Sequence, residues 1–126
     1  MGIVLVYSID DERSFSNLQE WLNLVERHAP QNTPIILVAN KSDLDEQRHV
    51  RTARGESFAE HKNIPFYEVS ALYGCGVVEC FDRLTHLIKE RVQPTITTTQ
   101  RNTSQQPKTC AVVDVNTSSQ KDDSCC

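Results

Sequence analysis

Short continuous apolar runs alternate along this chain with longer stretches in which apolar residues recur every three or four positions. IVLVY (residues 3–7) and IILVA (35–39) are runs of the first kind, and Pro65 opens a third short segment, Phe66 to Val69. Short apolar runs rich in β-branched residues predict strands buried on both faces. Between the first two, Phe15, Leu18, Leu22, Val25 and Ala29 share one face of a helix predicted over 14–29. Asp10, Asp11 and Ser14 are its N-cap candidates, and Pro30 and Pro34 stop it and lead into the second strand. A weaker pattern predicts a helix from Thr52 to His61, with Gly55 working against it. Val78, Phe81, Leu84, Leu87, Ile88 and Val92 mark a last helix over 77–92. Strand and helix alternate three times. The class is therefore α/β, a three-stranded parallel, doubly wound arrangement with right-handed crossovers and flanking helices.

From Gln93 the pattern stops. Residues 93–126 are rich in Thr, Ser, Gln and Asn, too poor in apolar content to offset ordering, so a disordered tail is expected after a folded part of 1–92. The whole chain of 126 residues is the size of one domain. A net charge of −4 argues against a nucleic-acid footprint. The five cysteines form no even framework and no secretory signal precedes the first strand, so a reducing cytosol is expected. The opening MGIVLVY is too short to span a bilayer, and Val6 stands where the myristoylation pattern wants Ser or Thr.

The second strand ends abruptly in Asn40, Lys41, Ser42 and Asp43, and the third is followed by Ser70, Ala71 and Leu72. Ligands of open parallel sheets sit at the carboxyl ends of the strands, where both loops emerge. One reading is a pair of polar turns. The other is a pocket for the edge of a purine. Guanine presents two adjacent donors, N1–H and the exocyclic amine, and the Asp43 carboxylate presents two acceptors. Adenine offers a lone pair at N1, which a carboxylate repels. Lys41 can lay its aliphatic stem along the base while its ammonium stays in water. Asn40 has donors and an acceptor to tie the loops together, and a backbone N–H near Ala71 can donate to the guanine carbonyl oxygen.

N-K-x-D after one buried strand and S-A-x after the next resembles the guanine-specificity pair of the Ras superfamily of small GTPases, in its Rab-like branch. The stretches GIVLVYSIDDERSF, PIILVANKSDL and IPFYEVSA agree in order and spacing, and the resemblance runs from about Gly2 to Val92. It implies that Asp43 holds the base, Lys41 packs on it, Asn40 braces the loops, Ser70 supports its own loop, and the Ala71 backbone meets the base oxygen. Leu72 stands where the family usually has Lys; it can cover a base edge but lacks the second cationic stem. The phosphate loop, G-x-x-x-x-G-K followed by Ser or Thr, is absent from these residues, as are the family's D-x-x-G element and water-positioning Gln. The resemblance places those segments before the first strand. It thus implies the C-terminal part of a P-loop-type domain, with GTP or GDP as ligand through base contacts, Mg²⁺ only in a full-length form, and no hydrolysis by this chain alone.

Cys125 and Cys126 close the sequence. A C-a-a-X box would need Cys at 123, where Asp123 stands. A terminal Cys-Cys pair resembles the Rab branch, where both are typically geranylgeranylated, and two lipids give stable anchoring where one does not. This implies a prenyl transferase and escort-type proteins as partners, and residence on the cytosolic face of endomembranes. Cys75 and Cys80 lack a second pair of metal ligands and are read as core or loop thiols. Trp21 is read as packing, with a partner surface as the alternative, and DLDEQRHVR as a solvated charged loop. The function expected is a guanine-nucleotide switch in vesicle traffic. The competing expectation is a non-enzymatic prenylated interaction protein that competes for prenylation machinery or membrane sites.

Overall fold

A computed structural model describes residues 1–92. The elements in order are β1 (Ile3–Ser8), α1 (Glu12–Ser16), α2 (Leu18–His28), β2 (Ile35–Asn40), a 3₁₀ segment (Ser42–Gln47), α3 (Thr52–Lys62), β3 (Phe66–Glu68) and α4 (Val77–Val92). The sheet is parallel throughout, in the order β1-β2-β3. Ile3 pairs with Ile35 through to Ser8 with Asn40, and Leu37 with Phe66 through to Ala39 with Glu68. Residues 93–126, and with them the expected tail and its cysteines, lie outside the described part.

Two apolar layers sandwich the sheet. On one face Leu5, Tyr7, Ile9, Leu37 and Ala39 meet Leu18 and Leu22 of α2 and Ala59 of α3. On the other, Ile36 and Val38 meet Val69 and then Cys80 and Leu84 of α4. Alternate residues of one strand feed opposite layers, so β2, apolar from Ile35 to Ala39, is buried on both sides. The α/β expectation with helices on both faces holds.

Three details differ from the sequence reading. The helix expected over 14–29 is two helices that meet at Asn17, whose N–H turns to the carbonyls of Arg13 and Phe15. Ser16 Oγ also bonds the Glu12 carbonyl at 3.0 Å, and small polar side chains of this kind compete for the backbone of a helix. Trp21 is 56 % exposed, so it is not core packing. In α4 the buried residues are Cys80 and Leu84, while Val78 and Phe81 stay exposed: the stripe facing the sheet is rotated from the one the apolar spacing marks.

Candidate functional site

The two polar loops emerge side by side because β2 and β3 are neighbours in register. Val69 N–H donates to the Ala39 carbonyl at 2.8 Å, the last rung before the strands part. There Lys41 takes a left-handed conformation, φ 64°, which turns the chain out of the sheet and points Asp43 back toward the third strand. A non-glycine residue in that region carries strain and persists only where its surroundings fix it. Asn40 supplies the fixing: its Oδ1 accepts from the Lys41 N–H at 2.8 Å and from the Ala71 N–H at 3.1 Å.

Two further bonds tie the loops together. Ser42 N–H donates to the Val69 carbonyl at 3.0 Å, and Ser70 Oγ donates to Asp43 Oδ1 at 2.6 Å. The Tyr73 N–H donates to Ser70 Oγ at 3.3 Å, so the buried Ser70 hydroxyl is donor and acceptor at once. The second loop closes through Gly74 and Gly76, both at positive φ, with the Ser70 N–H donating to the Cys75 carbonyl at 3.0 Å. A Cβ on Gly76 would stand 2.9 Å from the Glu68 carbonyl oxygen, so the turn takes glycine for space as well as conformation.

Of the six residues singled out, five are joined directly. Asn40, Lys41, Asp43, Ser70 and Ala71 form one bonded constellation, and Leu72 extends from its rim, 75 % exposed. Asp43 presents a carboxylate braced through one oxygen, and each carboxylate oxygen has two lone pairs, so both can still accept from a planar ligand edge. Beside it lie an exposed lysine stem and the short Ala71 backbone. A cleft of about 810 Å³ lies at the other end of the sheet between Pro30, Pro34, Pro65 and Leu87 and contains none of these residues.

Three residues near it were not singled out by sequence. Asp10, read as a helix cap, instead holds Lys41 Nζ at 3.1 Å, while Asp11 caps α1 through the Arg13 N–H. The Ser8 hydroxyl, and then Lys41, hold the Asp10 carboxyl below the usual range. Arg48 and Glu68 form a largely buried ion pair at 2.7 Å, so the stretch DLDEQRHVR is not merely a solvated loop. The available signal was Glu68 itself, a carboxylate inside a strand, which needs a partner when buried.

Comparison with known proteins bears on this geometry. Residues 1–90 match the family described as "Ras family". "Ras-related protein RAB1BV" of Beta vulgaris is 44% identical over 93 residues, 73% of this chain and 43% of the relative. "Ras-related protein RABE1d" of Arabidopsis thaliana is 43% identical over 98 residues, 77% of this chain and 45% of the relative. "Ras-related protein SEC4" of Saccharomyces cerevisiae is 44% identical over 92 residues, 73% of this chain and 42% of the relative. The chain thus spans under half the length of these curated relatives. With the family match covering all three strands and both candidate loops, this chain belongs to the Ras family, with Rab-named proteins among its relatives.

Proposed function

We propose that residues 1–92 form the guanine-reading part of a Rab-like small GTPase, a nucleotide-dependent switch in vesicle traffic. The observation that carries this is the pair of inter-loop bonds, Asn40 to Ala71 and Asp43 to Ser70, which hold a carboxylate and a backbone N–H in one frame. In this reading Asp43 accepts from guanine N1–H and the exocyclic amine, the Ala71 N–H turns from Asn40 Oδ1 toward the base oxygen or is shared between the two, the Lys41 stem packs on the base and Leu72 covers its edge. The ligand is GTP or GDP. In this reading Mg²⁺ belongs to a full-length form, and among the described residues no group of three or more His, Cys, Asp or Glu could hold it.

The test is competition of GDP and XDP for the parent chain and for Asp43→Asn. Xanthine carries an oxygen where guanine carries its amine, so the carboxylate loses one donor and meets an acceptor. An asparagine amide restores the match. The ratio should invert, by as much as ~10⁴ where a buried polar group is left unpaired. An unchanged ratio means that the loop is a polar turn.

The proposal includes anchoring through geranylgeranylated Cys125 and Cys126, by way of a prenyl transferase and escort-type proteins. No helix among the described residues is long and apolar enough to cross a membrane. Replacing both cysteines by serine should move the protein from the membrane to the soluble fraction in cells, and pelleting equal to the parent's would refute lipidation. Membrane association without base preference favours the non-enzymatic interaction protein instead.

A further inference from the structure

We propose that Arg48 and Glu68 are positioning residues for guanine recognition: their two-pronged ion pair holds the segment that carries Asp43 in register with Ser70 and Ala71. This rests on the guanine reading of the loops. Arg48 Nη1 and Nη2 donate to the two carboxylate oxygens of Glu68 at 2.7 and 3.2 Å, and Thr52 Oγ1 donates to the same carboxylate at 2.8 Å. The two side chains are only 16% and 11% exposed. Arg48 also closes the 3₁₀ segment Ser42–Gln47. Its N–H donates to the Asp45 carbonyl at 3.2 Å, its Nε to Asp45 Oδ1 at 2.6 Å, and its Nη1 to the Val50 carbonyl at 3.2 Å.

The bonds form a closed circuit. From Asp43 it runs along the 3₁₀ segment to Asp45, through the guanidinium to Glu68, along two residues of chain to Ser70, and through the Ser70 hydroxyl back to Asp43. Glu68 sits at the end of β3, where it pairs in register with Ala39, so the ion pair references the 3₁₀ segment to the sheet. The planar guanidinium fixes direction as well as distance, which a lysine does not. Its bond with Glu68 also pushes the Arg48 pKa upward. Shared enclosure makes each partner dependent on the other: removing one leaves a poorly solvated charge unpaired.

The experiment uses the full chain with GDP and IDP as probes, in the parent, Glu68→Gln and Arg48→Lys. Hypoxanthine lacks the exocyclic amine, so Asp43 keeps one of its two bonds, and the GDP:IDP affinity ratio reports how well the carboxylate is aimed. Both variants keep side-chain bulk and should lower that ratio by about tenfold, the worth of one charge-assisted bond. Simple destabilisation scales both affinities alike and leaves the ratio unmoved. A preserved ratio in both variants overturns the positioning role, whereas a parent without GDP preference overturns the guanine reading on which it rests. A second readout needs no nucleotide. Amide exchange at Ser42 and Ala71, whose N–H groups bridge the loops, should quicken in the variants while Leu37, bonded to the Pro65 carbonyl, does not change. Equal exchange at all three sites also overturns the proposal.

Discussion

Tyr7 is 2% exposed, and its hydroxyl has no hydrogen-bond partner among the described residues. Its ring stands edge-on to Phe15, with centroids 5.1 Å apart, so the apolar part is well used. Burial, and then the Glu68 carboxylate, push the phenol's pKa upward. A group whose pKa is raised on folding contributes fully below its unfolded value, about 10 for tyrosine, and loses that contribution as pH climbs beyond it. Tyr7→Phe keeps the ring contact and removes an unsatisfied polar atom, which costs about 1–3 kcal/mol when buried. The variant is therefore expected to be as stable as the parent or more so at pH 7. Its advantage should widen above pH 10. Urea midpoints at the two pH values measure this, and a variant clearly weaker at pH 7 means that the hydroxyl has a partner after all.

At the scale of elements, periodicity predicted both what formed and where reading failed. The three strands and the helices over 52–61 and 77–92 follow from apolar runs and spacing, because burial on two faces leaves its mark at every position of a strand such as β2. Gly55 argued against α3 by propensity alone. In the structure it is the reason α3 can lie where it does. A Cβ there would collide with the Tyr7 hydroxyl and stand 2.7 Å from the Phe66 ring, so glycine permits a close approach of helix to sheet that no single-element pattern encodes. The loops were equally uneven. Asn40, Lys41, Asp43, Ser70 and Ala71 were legible because their residue types match one chemistry at fixed distances from strand ends. Asp10, Arg48 and Glu68 were not, since their roles depend on partners 31 and 20 residues away in sequence, Lys41 for Asp10 and each other for the ion pair. The rotation of the α4 stripe has a similar origin, in packing against a layer that spacing along one helix does not show, whereas the break at Asn17 is local, set by the hydrogen bonds of Ser16 and Asn17.

Among the described residues the outer edge of β1 is left without a neighbouring strand. Ile3 and Ile9 direct their N–H groups to the β2 side, bonding the carbonyls of Pro34 and Asn40, so the alternating residues Val4 and Val6 direct theirs outward. Ser14 closes the far end of this edge, its hydroxyl accepting from the Ser8 N–H at 2.9 Å. Val4 packs in the α4-side layer, and alternation puts Val6 on the same face, 54% exposed. The strand Ile3–Ser8 contains no charge and no proline, the devices by which soluble proteins blunt a free edge. A concentration-dependent association through β1 is therefore expected for the isolated chain. Val6→Lys places a charge beside that edge at an exposed position of β1 and should weaken association by roughly tenfold or more, given that burying one valine contributes about 1.5 kcal/mol or above. Sedimentation velocity over a concentration series decides it. A parent that sediments as a monomer throughout, or a Val6→Lys variant that associates as strongly as the parent, removes the β1 edge as the cause.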